Sequence, residues 1–151
     1  MPGTVIIINP ISGPKRRGTG ARRVEQATRV LERLGAKGQI RLTERAGHAH
    51  ELAVEAAAAG AEIVLAWGGD GTINEVARAL VQRDGAGGPA PALGIIPGGS
   101  GNGLARELKI PFDPALAIEH AWRAKARTVD VGELGERLFF NVAGVGLDAH
   151  V

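Results

Sequence analysis

The sequence predicts a doubly wound, Rossmann-like α/β fold: a mostly parallel sheet with helices on both faces. Three observations predict it. The runs TVIIIN (4–9), EIVLAW (62–67) and LGIIP (93–97) have the continuous apolar character of strands buried on both sides. Segments with apolar residues at helical spacing lie between them. A glycine-bearing turn joins each of these runs to the helix that follows.

Each element has its own justification. TVIIIN is a β-branched run ended by Pro10 and Gly13. Residues 19–34 carry Ala21, Val24, Ala27, Leu31 and Leu34 on one helical stripe, with Gly35 at the stop. GQIRLT (38–43) reads as a second strand, and HAHELAVEAAAA (48–59) as an Ala-rich helix closed by Gly60. EIVLAW is the third strand. Ile73, Val76, Ala77, Leu80 and Val81 mark the helix after it, which stops near Asp84-Gly85. DGAGGPAPA (84–92) is a loop by composition. LGIIP is the fourth strand, followed by a short helix after Gly101 and another over about 114–125.

From residue 127 the rhythm changes. RTVDVGEL (127–134) and GERLFFNVAGVGLDAHV (135–151) read as strand, turn, strand, turn, strand with no helix between. The expected organisation is therefore an α/β nucleotide-binding domain over 1–126, then the opening strands, 127–151, of a truncated β-rich second domain. Apolar residues Val129, Val131, Leu134, Leu138, Phe139, Phe140, Val142, Val145 and Leu147 in that segment would need a cover. Self-association through 127–151 is the expected consequence.

Composition excludes several classes. The 151 residues contain no Cys, so disulfides and thiolate metal sites are out. MPGTVIIINP lacks the basic start and long apolar run of a signal peptide, and no stretch is apolar enough to span a bilayer. A soluble, cytoplasmic protein is expected. Aromatic residues are 3% with no Tyr, which argues against base stacking and hence against nucleic acid as partner. The net charge of +2 is uneven: residues 1–45 carry ten Lys/Arg against three Asp/Glu. Lys15, Arg16 and Arg17 directly follow a glycine turn. They fit either a solvated face or a basic flank for an anionic substrate or the inner face of a membrane.

Three glycine-rich turns converge where a doubly wound sheet binds ligands, outside the carboxyl ends of its strands. They are NPISG (9–13), GGDGT (68–72) and GGSGN (98–102). Helix starts at such turns favour anions. Residues 13–19 have Walker A glycine spacing but no Lys before Thr19, and 144–149 match the dinucleotide pattern only loosely. Both are set aside. Thr72 and Glu75 have the spacing of a capping box, which would account for them without a ligand. Asp70 is either a turn aspartate taking local N–H bonds or a carboxylate that handles Mg²⁺ beside a phosphate. His48, His50, His120 and His150 are candidates for a base by residue type only; His48 and His50 read as solvated residues at a helix start.

The set NPISG, GGDGTINEVA, PGGSGNGLAREL and FFNVAGVGLDA resembles the diacylglycerol kinase catalytic-domain family, including the bacterial lipid kinases and the sphingosine and ceramide kinases. GGDGT by itself also occurs in NAD kinases; the flanking motifs favour the lipid kinases. The resemblance implies ATP and Mg²⁺ as cofactors and phosphoryl transfer to a lipid hydroxyl at a membrane surface. It implies that Asn9, Pro10, Ile11, Ser12, Gly13, Thr43, Gly69, Asp70, Gly71, Thr72, Ile73, Asn74, Glu75 and Ser100 hold nucleotide. Asp70 is the expected organiser of phosphate and metal. Ser100 stands where many members have Thr, and Gly103 where many have Asp. The family's general base would lie outside this chain, leaving the fragment inactive. The alternatives are another GGDGT-type kinase or a non-catalytic nucleotide- or lipid-binding module.

Overall fold

The structure, a computed structural model, describes residues 3–13, 18–82, 89–135 and 137–140. Lys15, Arg16 and Arg17, most of the 84–92 loop, His150 and the expected strands beyond 140, with Val142, Val145 and Leu147, lie outside the described residues. The elements run β1 (Thr4–Ile8), α1 (Thr19–Leu34), β2 (Gly38–Leu42), α2 (His48–Ala58), β3 (Ile63–Gly68) and α3 (Asp70–Val81). Then come β4 (Ala92–Pro97), α4 (Gly103–Glu107), α5 (Pro114–Arg123), β5 (Gly132–Leu134) and β6 (Arg137–Phe139).

The four-stranded sheet has the order β2-β1-β3-β4, and every pairing in it is parallel. The period-two alternation of strand side chains divides its residues between two cores. Val5, Ile7, Val64, Ala66 and Ile95 face α2, α3 and α4, packing on Leu52, Ile73 and Val76. Ile6, Ile8, Leu65, Trp67 and Ile96 face α1 and α5, packing on Ala27, Leu31 and Ile118. Helices therefore cover both faces, which is the doubly wound architecture. The strands read as unbroken apolar runs because neither face of β1, β3 or β4 meets water.

Parallel register brings the strand ends level. Ile8 pairs with Leu42 and with Trp67, and Trp67 pairs with Ile96. The turns after β1, β2, β3 and β4 consequently emerge on one edge, side by side.

Two local expectations are corrected. Residues 127–131 are not strand; β5 begins only at Gly132 and forms a short antiparallel hairpin with β6. Val129 is 58% exposed there and gains no burial from extension. The helix at 114 ends at Arg123 rather than near 125. Among the described residues, no helix is long and apolar enough to cross a membrane.

Candidate functional site

The carboxyl edge of the sheet opens into a cleft of about 770 Å³. Of the residues expected to hold nucleotide, Asn9 to Gly13, Thr43, Gly69 to Thr72, Glu75 and Ser100 all line it. Ile73 and Asn74 do not. Ile73 is 1% exposed in the core, and both border a smaller apolar pocket beside Leu104, Phe139 and Phe140. Helical geometry explains the split: a turn of helix beginning at Asp70 cannot face one cavity with every residue.

The capping box is overturned. Helix α3 starts at Asp70, three residues earlier than a Thr72 cap requires, with Gly69 as its N-cap and no side-chain cap bond. Thr72 and Glu75 instead tie separate segments together. Thr72 Oγ1 accepts from Asn9 Nδ2 at 3.0 Å, joining the first turn to the third strand's turn. Glu75 Oε1 accepts from the Gly47 N–H at 3.1 Å, reaching the start of α2. Both partners are far off in sequence, so local spacing could not reveal them. Asn9 also organises its own turn, since its Oδ1 accepts from the Ile11 N–H at 3.1 Å. His48 is half-buried rather than solvated, its Nδ1 accepting from the Glu44 N–H at 3.1 Å.

The turns touch one another closely, and this explains some of the glycines. A Cβ on Gly99 would lie 2.5 Å from the Gly69 Cα, and one on Gly13 would lie 2.5 Å from the Gly98 carbonyl oxygen. Gly13 also has φ +79°, which disfavours any side chain. Gly71 is different. A Cβ there meets nothing within 4 Å, its φ is not positive, and it faces the cleft in the exposed first turn of α3. Nothing among the described residues demands glycine at 71.

The start of α3 carries unspent hydrogen-bond donors. The first amide closed within the helix is that of Ile73, which donates to the Gly69 carbonyl at 3.1 Å. The N–H groups of Asp70, Gly71 and Thr72 precede it and have no partner of the helical i−4 kind. The Asp70 carboxylate is exposed at the same place and has no hydrogen bond or ion pair among the described residues. It stands beside Gly101, where a Cβ would approach its Oδ2 to 2.9 Å. Asn102, buried with φ +52°, clamps the last turn by exchanging two side-chain bonds with Gly99 at 2.9 and 2.8 Å.

Two cations near the cleft were not singled out from the sequence. Arg45 lines the cleft and pairs in bidentate fashion with Glu51 at 2.9 and 2.6 Å. The hydrogen bond to Glu51 raises the Arg45 pKa, and the same contact lowers that of Glu51. Its signal was its place two residues after Thr43, at the end of a strand. Arg23 lies behind the turns, half-buried, and burial lowers its pKa from the ordinary guanidinium value. In the sequence it is one of several arginines on an amphipathic helix.

A parallel sheet with three linked turns and an open helix start defines a class: α/β proteins that bind an anionic ligand at the carboxyl edge. Comparison with known proteins narrows it. Residues 3–134 match the profile of the diacylglycerol kinase catalytic domain, and the chain belongs to that family. A protein of Chromohalobacter salexigens described as "Probable lipid kinase YegS-like" is 40% identical over 128 residues, 85% of this chain and 40% of that protein. The "Diacylglycerol kinase" of Bacillus subtilis is 37% identical over 142 residues, 93% of this chain and 45% of that protein. A crystal structure of a diacylglycerol kinase from Bacillus anthracis superposes with a TM-score of 0.73 at 26% identity, over 91% of this chain and 49% of that one. The chain thus spans less than half the length of these relatives.

Proposed function

We propose that the cleft binds ATP with Mg²⁺, and that the chain is the nucleotide-binding part of a kinase that phosphorylates a lipid hydroxyl at a membrane surface. The observation that carries this reading is Gly71. Gly13 and Gly99 are required by neighbouring backbone; this one keeps a side chain away from empty space in front of free N–H donors. A phosphate chain is the ligand such a surface fits, since helix-start amides attract anions and glycine permits close approach. Family membership supplies the reaction class.

Magnesium fits the same place. Among the described residues no three His, Asp or Glu side chains cluster to hold a metal alone. Mg²⁺ carried by a nucleotide keeps waters and phosphate oxygens and needs only one or two protein carboxylates. Asp70, exposed at the helix start and unpaired among the described residues, would hold it directly or through water. The ion would neutralise charge that develops on the transferred phosphoryl group. The chain's own residues do the rest. The amides of α3 orient the phosphates, Asn9 and Thr72 fix the two turns to each other, and Ser100 presents a hydroxyl at the rim. Arg45 adds positive charge on the side of the second strand. We place the base that takes the lipid's proton in the part of the relatives' length that this chain does not span. The 151-residue chain by itself is then a nucleotide binder with little transfer activity.

Titration calorimetry of the chain with MgATP tests the nucleotide half. Gly71→Val should weaken binding at least tenfold, about 1.4 kcal/mol, with the thermal midpoint unchanged within a few degrees. Equal affinity in the two proteins removes this turn from the site. Offering diacylglycerol, a sphingoid base and NAD as acceptors to a chain extended to the relatives' length tests the transfer half; a phosphorylated NAD product would refute the lipid assignment. Self-association through 127–151 belongs to the same reading. Val129 and Leu134 are 58% and 59% exposed there. A monodisperse monomer by light scattering would exclude it.

A further inference from the structure

The guanidinium of Arg23 is placed where two turns and the end of β3 can be held by one group. Nη1 donates to the Asn9 carbonyl and, at 2.8 Å, to Ser12 Oγ. Nη2 donates to the Ser12 carbonyl at 2.9 Å and, more weakly at 3.4 Å, to the Gly98 carbonyl. The guanidinium carbon stands 5.5 Å from the ring centre of Trp67, a buried residue of β3. Turn 9–13, turn 98–101 and the end of β3 therefore share one cation. Its four terminal N–H groups are all engaged by protein, and Arg23 does not line the cleft. It is not a phosphate ligand.

Its effect on the cleft runs through peptide geometry. In a trans peptide the C=O and the N–H of one unit point in opposite directions. Arg23 draws the Ser12 carbonyl towards itself, so the N–H of the same unit, that of Gly13, points away from Arg23. Gly13 lines the cleft. The cation also lies behind the Gly98 carbonyl, against which Gly13 is already packed. A lysine could not reproduce this: one ammonium has three donors and no planar fork.

We propose that Arg23 is a positioning residue for polyphosphate. It aims the Gly13 amide and locks turn 9–13 to turn 98–101, so the cleft favours a phosphate chain over an uncharged nucleoside. This rests on the nucleotide reading above, and the test separates the two. The 151-residue chain, Arg23→Lys and Arg23→Gln are titrated with MgATP, inorganic triphosphate and adenosine, with binding followed by NMR. In Arg23→Gln the affinity for MgATP and for triphosphate should fall at least tenfold, while that for adenosine stays within twofold. Arg23→Lys should fall between. A merely structural role would lower all three ligands alike, and that result, or unchanged MgATP affinity, overturns the proposal. If the unsubstituted chain binds no nucleotide, the nucleotide reading fails by itself. The clasp is then judged by amide hydrogen exchange. Arg23→Gln should speed exchange in residues 11–13 and 98–101 together, and unaltered exchange in either turn overturns it.

Discussion

Helices α5 and α3 begin in opposite ways. At α5, Asp113 is the N-cap, its Oδ1 accepts from the Leu116 N–H at 2.9 Å, and Pro114 removes a further donor. That helix start is satisfied by its own chain. At α3 the cap is Gly69, with no side-chain bond, and the same is true of Gly18 at α1 and Gly47 at α2. Helix α4 also lacks a side-chain cap, so among the described residues the four uncapped helices are those that follow strands β1 to β4 at the cleft; the capped one follows α4. A second contrast lies inside the turns. Gly13 and Gly99 are crowded by backbone, whereas Gly71 faces open space. Stability chooses the residue at one kind of position, and room for a ligand chooses it at the other.

The largest expected effect tests the crowded kind. Gly99→Val would drive a branched side chain into the Gly69 backbone, 2.5 Å from where its Cβ would sit. A loss of about 3 kcal/mol is expected in urea denaturation. An unchanged midpoint would mean that these turns are not in contact. Gly71→Ala should do the reverse. Stability should hold or rise by about 0.5 kcal/mol, because alanine suits a helix better. MgATP affinity should drop about tenfold, or 1.4 kcal/mol. Loss of stability without loss of affinity would erase the distinction between the two glycines. Asp70→Asn sharpens it from the metal side: calorimetry should show about a tenfold loss with Mg²⁺ and much less in EDTA. Equal losses would return Asp70 to the role of a turn residue. Smallest is Asp113→Ala, expected to cost about 1 kcal/mol of stability with nucleotide affinity untouched.

How much of this was legible in the sequence depends on the range of the forces involved. Helix α1 spans Thr19–Leu34 with Gly35 as its left-handed C-cap, as the stripe of Ala27 and Leu31 and the terminal glycine indicated. Strands β1, β3 and β4 were legible because burial on both faces leaves almost entirely apolar residues in them. The convergence of the turns followed from the fold class. What escaped were pairings across distance. Thr72 and Glu75 looked like a local cap because the sequence cannot show Asn9 and Gly47 arriving beside them. Arg23 was hidden among its neighbours for the same reason: Ser12 and Gly98 come to it only through the crossover of the sheet. The stretch 127–131 misled because alternating Val residues have strand propensity, yet no neighbouring strand pairs with them among the described residues.

The stacking of Arg23 on Trp67 makes the molecule its own indicator. Indole emission responds to a charge held over the ring, and Trp67 is 2% exposed, so water contributes little to its environment. The chain has two Trp residues, and the other, Trp122, sits half-buried at the end of α5. In a Trp122→Phe background, any rearrangement that slides the guanidinium off the indole would shift the colour and intensity of a single fluorophore. Motion at the cleft could then be timed in a stopped-flow instrument without attaching a dye.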